Sequence, residues 1–268
     1  MFLLLLLLGV FTGILAGLFG LGGGILFTPI LFTIFQAEGI HNPTAWTIGT
    51  SLFCNFVAAG SSSLQQFKKQ NIFWKQGLIV GLFGIGGVFA GREIVLSPYF
   101  TETIFIIFFT LLLVLAGISY FRKGKSDERK VLNVKPIGFR EGSLTGVITG
   151  IVAATAGVGG GIVMVPLLNL IYKTSIGRAI SISSLAIVII SFSGWLQYAW
   201  IRTPVDAMST YSIGYIDFGA AMPLVLGAFA GGIIGVNLNH KINRTVLQYG
   251  FSITVIVVAT YMLFKLFS

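Results

Sequence analysis

Two glycine-rich segments contain the residues that are best suited to chemistry. The first runs from Gly13 to Pro29, and the second, from Gly150 to Pro166, repeats its glycines at a constant separation of 137 positions. A helix that begins just after such glycines leaves its first backbone N–H groups unpaired and carries a partial positive charge there. Glycine also lets a ligand approach the backbone without a Cβ in the way. The segments therefore predict a site for one small oxyanion, with backbone donors at Gly22, Gly23, Gly24, Gly159, Gly160 and Gly161.

The alternative is that these glycines only allow two helices to cross closely. Packing of this kind needs one small residue in four, whereas three consecutive glycines weaken a helix by about 1 kcal/mol each relative to alanine. The triplets therefore favour the anion site, and packing alone stays open. No Gly-Lys-Ser/Thr follows either triplet, which argues against a phosphate loop.

Polar residues within the apolar segments are the other candidates for binding. They are Thr50, Ser51 and Asn55 after the first glycine segment, and Ser183 and Ser184 after the second, with Ser191 and Ser193 further along. Ser51 and Asn55, four residues apart, share one face of a helix. Hydroxyl and amide donors can replace part of the hydration shell of an oxyanion. Serine and threonine in membrane helices also bond to their own helix four residues back, and that alternative stays open.

The composition indicates which class of protein contains these candidate residues. Hydrophobic residues make up 55% of the chain and charged residues 9%, against about 25% charged in a soluble domain. Residues 2–19, 72–90, 104–121 and 246–264 form apolar stretches close to the roughly 20 residues that cross a bilayer as a helix. The sequence lacks the sustained alternation of apolar and polar residues that is typical of a closed barrel, which argues against that architecture. The chain is predicted to be an all-α polytopic membrane protein of about 8–10 helical segments.

The duplication divides the chain into two membrane repeats, residues 1–121 and 136–268, joined by a polar linker at 122–135. Each repeat is predicted to contain five helical segments, one of them short and broken by the glycines. Because five is odd, the two repeats would be inverted relative to each other in the membrane. The pairs Gly87 and Gly91, and Gly231 and Gly235, are predicted to be seams where helices pack closely.

The positions of lysine and arginine predict the orientation in the membrane. The linker and the loop that follows Lys68 are expected on the cytoplasmic side, and residues 36–43 and 203–213 on the other. Arg92 and Glu93 are exceptions near the outer side and are expected to pair with each other or with a neighbour. Asp217 is expected at a membrane boundary, near the surface, so no buried acid is predicted to carry protons.

The doubled pattern Gly-x-x-x-Gly-x-x-Gly-x-Gly-Gly-Gly-x-x-x-x-Pro, with Ala154 at its second glycine in the later copy, resembles the sulfite exporter TauE/SafE family of membrane transporters. The resemblance covers essentially the whole chain. It implies a small sulfur-bearing anion as substrate, such as sulfite, thiosulfate or sulfoacetate, while the residues alone indicate only a small anion. Ser183-Ser184-Leu185 departs from Gly49-Thr50-Ser51 of the first half, so hydroxyl contacts need not be symmetric.

The leading hypothesis is a secondary transporter in the plasma membrane that moves a small anion by alternating access. A passive anion channel is the alternative and would need a continuous pore; a transporter of a non-sulfur solute is another. An enzyme is not expected, because His41 and His240 are far apart and no catalytic constellation appears. The expected partners are a small anion and the lipid bilayer. The net charge of +9 is attributed to cytoplasmic loops, so no nucleic acid is expected, and no cofactor or metal is predicted.

Overall fold

The computed structural model describes residues 2–19, 23–68, 73–122, 137–174, 176–201, 211–239, 242 and 244–266. Gly22, His240 and almost all of the predicted linker lie outside this part of the chain. The described residues form ten α-helices and one short antiparallel hairpin, which confirms the predicted all-α architecture. The helices are α1 (Phe2–Phe19), α2 (Gly24–Ala37), α3 (Pro43–Lys68), α4 (Trp74–Leu96), α5 (Glu102–Arg122), α6 (Phe139–Ala156), α7 (Gly161–Leu170), α8 (Ile176–Ala199), α9 (Phe218–Asn239) and α10 (Arg244–Phe264). The hairpin strands are β1 (Ser212–Ile213) and β2 (Ile216–Asp217).

The helices before and after the linker follow the same order, five in each described half. The second helix of each half is short: α2 has 14 residues and α7 has 10, and each contains a proline, Pro29 or Pro166. Each short helix begins at the last glycine of its triplet, Gly24 or Gly161. The predicted short segment after each glycine triplet is therefore present.

The two halves pack against each other through corresponding helices. The first helix of one half packs along the fourth helix of the other, so that α1 lies against α9 and α6 lies against α4. Equivalent helices also pack on each other, α3 on α8 and α5 on α10. This pattern is the one that a two-fold relation between the halves requires. An axis in the membrane plane, as for inverted repeats, stays a prediction.

The glycines at the α1–α9 and α6–α4 contacts bring the helix backbones together. A Cβ atom at Gly13 would overlap the carbonyl oxygen of Ala228, and one at Gly150 would overlap that of Gly84. The glycines predicted as seams are packed against the backbones of α6 and α1 in the same way: Gly87, Gly91, Gly231 and Gly235. Close helix packing therefore accounts for these glycines without a ligand.

The outer surface of the helices is apolar, as lipid requires. On α5, Ile107, Leu111 and Leu115 are exposed, whereas Phe109 and Leu113 are buried. Three helices of the described chain are long and apolar enough to cross a membrane, at Trp74–Leu96, Arg178–Ala199 and Phe218–Gly235. Four shorter helices are also apolar, namely Phe2–Leu18, Gly24–Ala37, Glu102–Ile118 and Tyr249–Phe264. The charged pair near the end of α4 forms as predicted, because Arg92 Nε donates to Glu93 Oε1 over 3.1 Å.

Candidate functional site

The two glycine segments meet where the halves join. A Cβ atom built on Gly24, the first residue of α2, would lie 2.6 Å from the Cα of Val158, between α6 and α7. The same atom would lie 2.8 Å from Nδ2 of Asn55. The start of α2 therefore rests on the turn that precedes α7, and only a residue without a side chain fits there.

The turn between α6 and α7 has a left-handed backbone at three glycines. Gly157, which ends α6, has φ 70°, and Gly159 and Gly160 have φ 65° and 80°. Residues other than glycine rarely adopt these angles. The turn itself therefore requires these glycines, whether or not a ligand binds. Gly23, at the start of α2, has φ −79°, so the two triplets are not conformationally equivalent.

The N-termini of the two short helices are not capped by side chains. In α7 the first hydrogen bonds run from the N–H groups of Val163 and Met164 to Gly160 O, at 3.1 and 2.9 Å. In α2 the N–H groups of Leu26 and Phe27 bond to Gly23 O in the same way. The positive ends of both helix dipoles therefore lie beside the glycines, as the sequence predicts.

Three polar side chains of the first half bind one carbonyl of the second. Gly157 O accepts hydrogen bonds from Ser51 Oγ at 2.7 Å, Asn55 Nδ2 at 2.8 Å and Thr28 Oγ1 at 3.2 Å. We call these side chains the Gly157 clamp. It neutralises the negative end of the α6 dipole and fastens α2 and α3 to α6. Ser51 and Asn55 are thus brought to the glycines, but in this structure they donate to the backbone.

Thr28 was missed by the sequence analysis. It lies in α2 beside Pro29 and is fully buried. Its hydroxyl is also 3.0 Å from that of Ser51. Because Ser51 donates its single proton to Gly157 O, Thr28 is the donor when the two hydroxyls bond, in place of its longer bond to Gly157 O. The available signal was a threonine in a short apolar helix next to a glycine triplet, where a polar side chain needs a partner.

Asn55 is the side chain between the two glycine segments. It is fully buried, its Nδ2 lies beside Gly24, and its Cβ is 3.5 Å from the Cβ position of Gly159. Oδ1 of Asn55 has no hydrogen-bond partner in the described part of the chain. Ser191 of α8 approaches Gly159 from another side: it is fully buried, its Oγ is 3.0 Å from the same Cβ position, and that Oγ also has no partner among the described residues.

The other predicted hydroxyls are bonded elsewhere. Ser183 Oγ and Ser184 Oγ both donate to Ile180 O in their own helix, at 3.0 and 2.7 Å. Thr50 Oγ1 accepts a hydrogen bond from the N–H of Asp217 at 3.1 Å. To donate to an anion, Ser183 and Ser184 would first have to release Ile180 O, whereas Thr50 only accepts in its bond to Asp217 and keeps its own proton.

The prediction that Asp217 lies near the surface is wrong, because the structure buries it completely. The hairpin β1–β2 folds back onto α3, where a Cβ atom at Gly49 would overlap the carbonyl oxygen of Tyr215. Asp217 Oδ1 accepts from the N–H of Ala220 at 2.9 Å and so caps α9. From the sequence alone, Asp217 is predicted to lie in a loop near the surface. The folded hairpin places its side chain in the interior.

In the described part of the chain, no group of three or more His, Cys, Asp or Glu residues could hold a metal ion.

Comparisons with known proteins agree with this architecture. The family model for the sulfite exporter TauE/SafE matches residues 5–262. A probable membrane transporter protein of Methanocaldococcus jannaschii is 31% identical over 97% of this chain and 94% of its own length. Another from Haemophilus influenzae is 29% identical over 98% of both chains, and YunE of Bacillus subtilis, a third, is 25% identical over 98% of both. No solved structure matches the chain. The chain is therefore a membrane transporter that belongs to the sulfite exporter TauE/SafE family.

Proposed function

We propose that the protein is a secondary transporter that moves a small anion, a sulfur-containing oxyanion or an organosulfonate, across the plasma membrane by alternating access. The observation that carries this proposal is the meeting of the two glycine segments around Asn55, at the junction of the two halves. Transporters built from repeats bind their substrates at such a junction, beside helix ends.

The chemistry of the junction supports an anion. The uncapped N-terminus of α7 and that of α2 direct positive dipole ends toward the glycines. Ser191 adds a hydroxyl with no partner in the described chain, and Ser51 and Asn55, whose donors are bonded to Gly157 O in this structure, lie beside the glycines. The binding residues that we propose are Gly23, Gly24, Gly159, Gly160 and Gly161 together with Ser51 and Asn55. The family description names sulfite, which supports the sulfur-containing class.

The division of the site between the halves supports alternating access. Thr28, Ser51 and Asn55 belong to the first half, and the carbonyl that they bind belongs to the second. Rocking of one half against the other would change these contacts and open the site toward one side of the membrane at a time. A substrate held between the halves would then cross without a continuous pore.

Counterflow in proteoliposomes tests this function. Vesicles that contain the purified full-length protein are loaded with unlabelled sulfite, and uptake of trace labelled sulfite from outside is followed, with thiosulfate, sulfate and methanesulfonate as alternative loads. We expect uptake to be accelerated by the internal anion, because a carrier returns faster when loaded. Flux that is independent of the internal anion would indicate a channel and refute alternating access. Absence of exchange with every sulfur anion would refute the substrate class.

A further inference from the structure

We propose that Ser191 and the amide oxygen of Asn55 bind the substrate beside Gly159 and select an oxyanion that retains one proton. This inference rests on the proposed function and specifies the protonation state of its substrate. It starts from two buried polar atoms, Ser191 Oγ and Asn55 Oδ1, which lack a hydrogen-bond partner among the described residues. Ser191 Oγ and the Cβ of Asn55 lie 3.0 and 3.5 Å from the Cβ position of the same glycine, Gly159. Because leaving a buried polar group unpaired is unfavourable, such atoms favour a ligand that satisfies them.

The orientation of the Asn55 amide follows from its neighbours. Nδ2 lies 2.8 Å from Gly157 O, and a carbonyl oxygen can only accept a hydrogen bond. Exchanging the amide nitrogen and oxygen would place two acceptors against each other. Oδ1 is therefore the atom that remains for a ligand, and it needs a donor.

Oxyanions differ in whether they can supply that donor. A fully deprotonated oxyanion has acceptors alone, so it would place a negative oxygen against Asn55 Oδ1. A singly protonated oxyanion such as hydrogen sulfite can donate its O–H to Oδ1, while its other oxygens accept from Ser191 Oγ–H and from the N-terminus of α7. Its single charge also suits the surroundings, since the side chains nearest to Gly157 and Gly159 are uncharged: Thr28, Ser51, Asn55, Ile187 and Ser191.

The first experiment measures binding to the purified full-length protein in detergent as a function of pH. The probes are sulfite, which titrates near neutral pH, methanesulfonate, which stays a monoanion without an O–H, and sulfate, which stays a dianion. Above the second pKa of sulfite, the affinity for total sulfite should fall about tenfold per pH unit, because only the protonated fraction binds. Sulfate should bind at least about tenfold more weakly than hydrogen sulfite, which corresponds to about 1.4 kcal/mol.

Methanesulfonate has no O–H to donate, so it should bind more weakly than hydrogen sulfite. The pH dependence of its remaining affinity is the control for titration of the protein. The ionisable groups on the surrounding helices are Cys54 and Lys68 on α3, Arg140 and Glu141 on α6, and Arg178 and Tyr198 on α8, with Asp217 just before α9. Any of these would change the affinity for methanesulfonate and sulfite alike, whereas titration of the substrate changes the affinity for sulfite alone. Sulfite affinity that is unchanged across its pKa, or sulfate binding as tight as sulfite binding, would overturn the inference.

The second experiment replaces Ser191 with alanine. Because Ser191 Oγ has no protein partner in the described chain, Ser191→Ala removes no intramolecular hydrogen bond, and the melting temperature should be unchanged or higher. Affinity for sulfite should fall by about tenfold or more, as expected for a lost hydrogen bond to a charged ligand. Ser252→Ala is the matched control, since Ser252 of α10 is also buried and its Oγ also lacks a partner among the described residues. It should leave affinity unchanged.

The outcomes separate the two proposals. If the wild-type protein binds none of the three anions, the proposed function fails. If it binds sulfite with an affinity that neither follows the protonation of sulfite nor depends on Ser191, this inference fails and the proposed function stands. Equal affinity in Ser191→Ala and wild type would indicate that water alone fills the space between Ser191 and Asn55, and would also overturn the inference.

Discussion

Replacing Gly24 with alanine tests the contact between the two glycine segments directly. The added methyl would lie 2.6 Å from the Cα and 2.8 Å from the carbonyl carbon of Val158, and 2.8 Å from Nδ2 of Asn55. Two of these three neighbours are backbone atoms, which cannot rotate away. The start of α2 and the turn before α7 would have to separate, and Asn55 would have to move from Gly157 O.

The expected cost follows from these distances. Forcing an extra methyl into a closely packed interior costs typically about 1–3 kcal/mol. A weakened interhelical hydrogen bond from Asn55 adds roughly 0.6 kcal/mol, the average measured in a membrane protein. The intrinsic preference of a helix for alanine offsets at most about 1 kcal/mol, and less at a helix end. We therefore expect a net loss of roughly 0.6–3.6 kcal/mol in the free energy of unfolding, together with reduced counterflow.

The assay compares thermal unfolding and counterflow of Gly24→Ala with those of Gly60→Ala. Gly60 is also in a helix, α3, but beyond its own stretch of helix no atom of the described residues lies within 4 Å of its Cβ position. Alanine there should be neutral or stabilising by up to about 1 kcal/mol. A Gly24→Ala protein as stable as Gly60→Ala would refute the close contact between the segments, and with it the geometry of the proposed site.

Two further predictions concern the Gly157 clamp and the membrane topology. Ser51→Ala should lower the free energy of unfolding by roughly 0.5–1.5 kcal/mol, because it removes a hydrogen bond between the halves. Ser184→Ala breaks a hydrogen bond within its own helix and should change the free energy of unfolding by less than about 0.5 kcal/mol. Thermal unfolding of both variants measures the two losses, and equal losses would contradict the prediction. Lys68 and Arg129 should lie on the cytoplasmic side of the membrane, and residues 36–43 and 203–213 on the opposite side. A cysteine introduced by Ser126→Cys should therefore react with a membrane-impermeant reagent only in opened cells. Labelling of that cysteine in intact cells would contradict the orientation.

Features that are local or repeated could be predicted from the sequence. The duplication, the five helices of each half and the short helix after each glycine triplet follow from spacing and hydrophobicity. The seams at Gly87 and Gly231 follow from small residues four apart. Each of these patterns lies within one segment, so neighbouring residues are enough to recognise it.

Features that depend on contacts between the halves could not be predicted. Thr28 and Ser51 meet Gly157 across more than 100 residues of chain, and no local pattern indicates that a helix C-terminus will be their partner. The burial of Asp217 depends on the hairpin folding onto α3. The left-handed backbone at Gly160, with φ 80°, also depends on the tertiary turn, and it means that a larger residue there would disturb folding as well as binding.

The helices of the two halves pack in a two-fold pattern, but the polar side chains at their junction do not follow it. In the sequence alignment of the halves, in which Ala45 corresponds to Ala179, the positions of Ser51 and Asn55 are occupied by Leu185 and Ile189. Leu185 and Ile189 pack instead against Gly77 and Gly81 of α4, as apolar contacts between helices. The first half thus supplies the clamp side chains, and the second supplies the left-handed turn that they bind.

This asymmetry has a consequence for the substrate. Two equivalent clamps would bind a symmetric dianion equally well in either orientation, because each end would meet the same donors. With Ser51 and Asn55 on one side and the turn at Gly159 on the other, the two sides of an anion in the proposed site would meet different groups. In the site that we propose, the duplicated scaffold would therefore provide two helix ends for one negative charge, while the departures from the repeat would determine how the anion is oriented between them.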